Sequence, residues 1–533
     1  MSLRWSARHA AWASVALLAT LAGCGGGGGG SVGGGASNGS ASTSNSSSTG
    51  SGTSNTQTRP TPSSPAEIVD SRTVAAMCAA PRAASRDRPG SLSDEKRWVR
   101  SWIDETYLWY DEVPALKQAD YATPVDYFNV LKTSATTSSG KPKDRFHFSI
   151  DTATWEGQSE RNQNLGYGIE FTFLASAPPR DVRVAYVQPG SPAQAAGIER
   201  GMRLFNVDGI DVISGGDVDA LNAGLAPAKA GESHRLGFRR VDGSSVDMAL
   251  VSAEVIDSPV MNVKVLDTPD GKVGYLQFNT HTQAAEAPLM DAIAYLRDAA
   301  VTDLVLDMRY NGGGLLGIAA ELASMIAPSG STVGQTFERM IFNRKLNAAI
   351  SAASTRMPFY ATAQYDPAVR GRALPRLNLS RVMVLAGGAT CSASESVVNG
   401  LRGIGVKVDL VGGTTCGKPY GFLPQDNCGT TYFAVQFQGV NAREQGNYAD
   451  GMAPTCTVAD DLSHQLGDPA EARLATALEL RRTGRCPAPV TAMASGSLKG
   501  SLGSLTGESR PDGQLRPKLT DNRILLPQDL MRE

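Results

Sequence analysis

Surplus charge is what this sequence lacks first: 50 Lys and Arg stand against 52 Asp and Glu, for a formal net charge of −2. A nucleic-acid binder carries a basic excess or stripe, so that class is set aside. Histidine is scarce, with five in 533 residues, and no His or Cys spacing matches a zinc site. No metal is therefore expected. The phosphate-cradling Gly-Lys-Ser/Thr element is also missing, because Gly417-Lys418 is followed by Pro419. No cofactor is called for. The most apolar stretch near the start, Ala11 to Ala22, falls short of the roughly 20 residues that cross a bilayer. What remains is a chain long enough for two or three domains with filled cores.

The two ends differ from the middle. Arg4 and Arg8 precede the Ala11–Ala22 run, which is the pattern of an export signal over residues 1–23. Its ending, Leu21-Ala22-Gly23-Cys24, resembles the lipobox of bacterial lipoproteins, which implies cleavage before Cys24 and acylation there. Gly25 after the cysteine, by the same resemblance, implies the periplasmic face of the outer membrane. Residues 24–66 are nearly all Gly, Ser, Thr, Asn and Pro, a composition that buries too little to order itself. They are expected to form a flexible tether reaching about 35 Å. Residues 487–533 are similarly poor in pattern, although Ile524-Leu525-Leu526 is apolar enough to dock. Beyond Cys24, an even six cysteines in an exported chain predict disulfides. Cys416 and Cys428, the nearest pair along the chain, are the first pairing to expect, while Cys391 and Cys416 flank the residues singled out below and could clamp them through disulfides.

Three grammars follow one another along the chain. In residues 67–160, Ser93 as N-cap and Trp98, Trp102, Ile103 and Leu108 at helical spacing predict a helix over Ser93–Tyr110. A second helix is expected over Pro124–Lys132 and a strand over Phe146–Ile150, which makes a small helical domain. Residues 161–255 read as short strands broken by Gly, Pro and Asp turns, with a hairpin turning at Asp242-Gly243. From 256 to 486 strands and helices alternate, the mark of an α/β domain. Residues 340–375 lack a period and read as an insertion or surface excursion.

The middle segment resembles a bacterial PDZ domain, through Gly166-Tyr167-Gly168-Ile169-Glu170-Phe171 and Gly190-Ser191-Pro192-Ala193 … Ala196-Gly197-Ile198 … Gly201 … Val207-Asp208-Gly209. The resemblance implies a β-sandwich or barrel-like domain that takes a chain end as an added strand. Gly166, Tyr167, Gly168 and Ile169 would hold the carboxylate, and Val218, Leu221 and Leu225 would line the side-chain pocket.

Ser392 lies between an apolar strand and a helix, where a hydroxyl can be exposed on a sharp turn beside helix N–H groups. An N-cap serine would look the same. The neighbours decide. Asp307-Met308-Arg309-Tyr310-Asn311-Gly312-Gly313-Gly314, Ser392-Ala393-Ser394-Glu395 and Gly412-Gly413-Thr414-Thr415-Cys416-Gly417-Lys418 together resemble the C-terminal-processing (tail-specific) serine proteases over about residues 90–470. That resemblance implies a crotonase- or ClpP-like α/β core with Ser392 as nucleophile and Lys418 as base. Oxyanion donors would come from Gly313, with Gly312 as alternative, and from Ala393. Ser394 is the competing nucleophile. His147, His234, His281 and His464 stand in no catalytic motif. An amine acts as a base at neutral pH only where burial disfavours its charge.

Two departures from the family stand out. The spacing from Ser392 to Lys418 is one residue longer than usual. Phe422 occupies the place where the family tends to carry a glutamine that holds the amine, leaving Gln425 as substitute. The expected protein is a serine endopeptidase acting on exported proteins with free C-termini. The rivals are a catalytically silent PDZ scaffold and a crotonase-type acyl-transfer enzyme.

Overall fold

The computed structural model describes residues 68–487 apart from 84 and 162, together with the short strand Ile524–Leu525. The export signal, Cys24, the tether and most of the tail lie outside the described residues.

The first helix runs over Leu92–Thr106. Its N-cap is Ser91 rather than Ser93: Ser91 Oγ accepts from Asp94 N, and the Asp94 carboxylate accepts from Ser91 N in return. Thr123 and Asp126 repeat this reciprocal cap at the helix Pro124–Val130. The strand Phe148–Asp151 pairs with Thr430–Phe433, nearly three hundred residues away. Consequently the helical segment has no core of its own. Trp98, Trp102, Tyr107, Phe128 and Phe146 share one buried cluster with Tyr420, Phe422, Tyr432 and Phe433. The Cys78–Cys428 disulfide fastens the same contact.

Residues 169–251 form an antiparallel sheet in which Ile169–Ala175, Asp181–Val187, Arg203–Val207, Ser233–Arg239 and Ser245–Val251 lie in that order. Helices Pro192–Ala195 and Val218–Leu225 accompany it, around a core that includes Tyr167, Leu204, Leu221 and Phe238. Chain entry and exit are zipped together, since Gln163–Gly166 pairs antiparallel with Ala253–Ile256. The segment is therefore inserted into the remainder through a two-stranded neck.

The α/β part is built on a six-stranded sheet. Val260–Thr268 runs antiparallel to Gly271–Phe278, and then Asp303–Asp307, Arg381–Ala386, Lys407–Gly412 and Cys456–Thr457 follow in parallel. Asp303–Asp307 is buried at every position, as a strand covered on both faces must be. Helices Glu286–Asp298, Leu316–Ile326 and Ala393–Gly403 pack on one face and Ala472–Thr483 on the other. Gly314–Leu315 additionally pairs in parallel with Ile524–Leu525.

Two expectations are corrected here. Residues 340–375 are a surface excursion only in part: 344–354 are mostly exposed, but Thr336–Phe342 pairs with Phe437–Val440, and Met357, Phe359, Ala363 and Tyr365 are buried in the main core. A buried carboxylate, Glu286, anchors that stretch by accepting from the N–H groups of Gln364, Tyr365 and Asp366. Nor does Cys416 pair with Cys428. The bridges are Cys78–Cys428, Cys391–Cys416 and Cys456–Cys486. Arg381–Ala386 and Lys407–Gly412 are parallel neighbours, so the loops that leave them lie side by side and bring Cys391 to Cys416.

Burial and the adjoining Glu286 push the Glu321 carboxyl up to about 10. The folded protein thus keeps a proton that the unfolded chain releases above the ordinary carboxyl range, and stability falls as pH rises from there toward 10. Glu321→Gln is expected to raise the melting temperature at pH 8 and leave it nearly unchanged at pH 4, as calorimetry at the two pH values would read.

Candidate active site

Three loops leave the C-terminal ends of adjacent parallel strands, where open α/β sheets place their sites. The first follows Asp303–Asp307. Asn311 Nδ2 donates to Phe278 O (2.9 Å), and Asn311 Oδ1 accepts from Gly313 N (2.9 Å) and faces His281 Nδ1 (3.1 Å). His281 is fully buried, and burial holds its pKa down at about 3, so the ring is neutral with its Nδ1 proton directed at Asn311. The carboxamide of Asn311 is thereby the hub of the glycine turn.

The second loop carries Ser392. Cys391 N donates to Asn311 O (3.1 Å), and Thr390 Oγ1 donates to Met308 O (2.9 Å), so this loop lies directly on the first. Ser392 has φ +60°, a conformation that L residues adopt rarely and at a cost of roughly 1–3 kcal/mol. It heads the helix Ala393–Gly403. Its Oγ is buried and, among the described residues, meets at most the Glu395 N–H of its own helix turn as an acceptor, whereas Ser394 Oγ donates to Asn311 O (3.0 Å). Of the two serines, Ser394 has its hydroxyl proton committed and Ser392 has no acceptor for its own among the described residues.

The third loop presents Lys418, which is fully buried. Its Nζ stands 3.9 Å from the ring centroid of Phe422 and 5.2 Å from that of Phe146. The preceding peptides are clasped by Arg145, which donates to Cys416 O (2.7 Å), Gly417 O (3.1 Å) and Ala449 O (3.1 Å). Gly417 has φ +88°, and a Cβ there would lie 2.4 Å from Ala449 O, so no other residue fits.

One carboxylate joins the second and third loops. Glu395 is fully buried and accepts from Ser392 N (3.0 Å), Lys418 N (2.8 Å), Gly417 N (2.9 Å) and Thr415 Oγ1. Burial raises its pKa, and these four donors oppose the rise by favouring the carboxylate. The Cys391–Cys416 disulfide repeats the tie covalently, with Cα atoms 5.1 Å apart. Cys391, Glu395 and Cys416 bring potential metal-ligand atoms within 4.8 Å of one another, but sulfurs joined to each other are not thiolate ligands.

Gly313 abuts the nucleophile loop: a Cβ on it would lie 2.8 Å from Ser392 Cβ and 2.9 Å from Ala393 N. The Ala393 N–H opens the helix and has no carbonyl four residues back to receive it. The Gly313 N–H, in contrast, is directed at Asn311 Oδ1, within its own turn.

Residues 272–456 match the family described as peptidase family S41, and residues 94–150 match the peptidase S41 N-terminal domain. Both matches are to models of peptidase family S41. A carboxyl-terminal-processing protease of Picosynechococcus sp. is 29% identical over 232 residues, covering 43% of this chain and 49% of that protein. The chloroplastic C-terminal processing peptidase of Tetradesmus obliquus is 31% identical over 179 residues, covering 32% of this chain and 38% of its own. The chain thus spans about half or less of the length of these relatives. The putative S41 protease of Bacteroides fragilis superposes with a TM-score of 0.56 at 24% identity, over 72% of this chain and 97% of that one. This likeness shows a common S41 protease fold, mixed α/β with an N-terminal helical region.

Within the segment that matches the S41 model, all three loops singled out in the sequence come together. Gln425 does not join them. It is exposed on the strand Gln425–Asn427, its amide turned toward Asp426 O, so it cannot hold a buried amine. Phe422 occupies that position next to Lys418. His147, His234 and His464 face Asp144, Asp208 and Asp461 locally. In the inserted domain, Tyr167 and Leu221 are core residues, and Tyr167 Oη donates to Gly224 O (3.0 Å). Ile169 is buried in the same core, Val218 and Leu225 lie at its margin, and Gly166 and Gly168 have φ +156° and +76°.

Arg145, Phe146, Glu395 and His281 were not assigned roles from sequence. Only Glu395 carried a signal, as the last residue of Ser-Ala-Ser-Glu. Glu395→Ala deprives three buried N–H groups of their acceptor, each worth about 1–3 kcal/mol. A loss of about 3 kcal/mol or more in urea unfolding is expected, with a smaller loss for Glu395→Gln.

Proposed function

We propose that the chain is a serine endopeptidase of the C-terminal-processing kind, with Ser392 as nucleophile and Lys418 as base. The observation that carries this reading is the uncommitted, buried Ser392 hydroxyl on a positive-φ turn, joined through Glu395 and a disulfide to the loop of a buried lysine. In the proposed reaction the neutral Lys418 amine takes the proton as Ser392 Oγ attacks the scissile carbonyl carbon. The carbonyl oxygen becomes an oxyanion facing the Ala393 N–H and the positive end of its helix. A second donor comes from the glycine turn: the Gly312 N–H, or the Gly313 N–H if it leaves Asn311. The lysine then returns its proton to the leaving amine, and water hydrolyses the acyl ester by the same steps.

The inserted domain is the proposed PDZ module. Ile169–Ala175 is an end strand of its sheet, so its outer edge can take a peptide as an added strand, with Gly166 and Gly168 near the terminal carboxylate. Val218, Leu221 and Leu225 are the proposed pocket lining, with Leu221 at its buried floor. Arg200 carries this domain onto the glycine-turn loop: it donates to Tyr310 Oη (2.7 Å), Asp460 (2.7 Å) and His464 O (3.0 Å). Three disulfides fit an oxidising compartment, and no described helix is long and apolar enough to cross a membrane. An anchor at Cys24, on the periplasmic face of the outer membrane, remains the proposed location.

The test compares wild type, Ser392→Ala and Lys418→Ala on peptides with free or amidated C-termini. Ser392→Ala should abolish turnover and fluorophosphonate labelling, and Lys418→Ala should lower kcat about 10²–10⁴-fold. Amidation should raise KM and leave kcat nearly unchanged, because the captured end is remote from the scissile bond. Turnover persisting in Ser392→Ala overturns the assignment.

A further inference from the structure

A lysine side chain has four rotatable bonds, so a productive base needs something that holds its amine in place. The nearest candidate in sequence, Gln425, is on the surface. We propose that the ring faces of Phe422 and Phe146 are the positioning residues for the Lys418 amine, in the place of a glutamine. This rests on Lys418 acting as the base.

Both rings lie within cation–π range of Nζ, at 3.9 and 5.2 Å. Both are themselves held. Phe422 meets Phe148 and Phe433 edge-to-face, at 5.7 and 5.3 Å between centroids, and Phe433 stacks on Phe148 at 4.3 Å. Phe146 leans on Tyr420 at 6.2 Å, which meets Trp109 edge-on at 4.9 Å. The clamp is therefore assembled from the two S41 segments, with Phe146 contributed by the N-terminal one.

A ring face holds an amine differently from an amide. It fixes the position of the nitrogen without claiming its lone pair or one particular hydrogen, so the lone pair can turn to Ser392 Oγ. A π face also attracts the ammonium more than the amine. Its stabilisation is thus largest after the proton has left serine, which is where binding energy lowers a barrier. Other charged and titratable groups surround this amine. Glu395 on the Ser392 helix bonds the Lys418 main chain, and Arg145 has its guanidinium carbon 4.7 Å from the Phe146 centroid. Asp144 and Tyr420 are neighbours in the chain, and Asp450 lies toward the Arg145 side. None of them is altered by a change at Phe422.

Phe422→Leu keeps the site apolar and removes the π face. The ammonium is then disfavoured, so the acid limb of the kcat profile should move to lower pH by about half to one pH unit. The plateau should fall about 3- to 30-fold, with KM within about twofold. Phe146→Leu should act in the same direction with smaller size, and it carries the measurement should Phe422→Leu fail to fold. Phe422→Tyr retains a face and should keep a plateau near that of wild type. An unchanged plateau, or an acid limb moved upward by water entering the site, overturns the proposal. The two readings fail separately: equal turnover in wild type and Lys418→Ala removes the base assignment, whatever the phenylalanine variants do.

Discussion

Glu395 is buried, no cationic side chain among the described residues is hydrogen-bonded to it, and that arrangement requires several donors at once. The donors it finds are the main-chain N–H groups of Ser392, Gly417 and Lys418 and the Thr415 hydroxyl. Because each is a backbone group or a neighbour of one, the carboxylate fixes chain path rather than side-chain rotamer. The positive φ of Ser392, the left-handed Gly417 and the Cys391–Cys416 bridge all lie where two loops meet this one carboxyl group. The rest of the candidate site hangs on this arrangement.

Asn311 plays the corresponding part for the glycine turn. Its carboxamide spans Phe278 O, Gly313 N and His281 Nδ1, so a neutral buried imidazole and one amide set the turn against Ser392. A network of buried charge lies behind it: Arg309 donates to Asp307, Asp460 and Glu471, and Arg200 reaches Asp460 from the inserted domain. Such paired charges are costly to break singly, because each loss strands a partner away from water. The inserted domain is thus wired to the loop on which the proposed oxyanion site depends.

Legibility in the sequence followed the range of the interaction. The loops that carry Ser392, Ala393, Lys418 and the glycine turn, the proposed site, are legible because each is a short contiguous motif. The helix Leu92–Thr106 was readable from its spacing, and its cap was misplaced by two residues because Ser91 and Ser93 offer the same hydroxyl. Gln425 does not serve because it and Asp426 both face solvent on their short strand, which nearness along the chain does not reveal. The pairing of Cys416 with Cys428 failed for the same reason: loops after neighbouring parallel strands meet whatever their separation in sequence.

Local chemistry is what the sequence by itself determined: which residues could carry a hydroxyl, an amine and N–H donors, and which stretches are strands, turns or helices. Those properties depend on contacts within a few positions. Only the tertiary structure decided what surrounds the amine. Phe146 and Arg145 come from a segment some 270 residues earlier, and they reach Lys418 because the strand Phe148–Asp151 completes a sheet with Thr430–Phe433 and the helical region has no separate core. A buried charge is governed by whatever atoms replace its water, and chain folding, not chain order, selects those atoms.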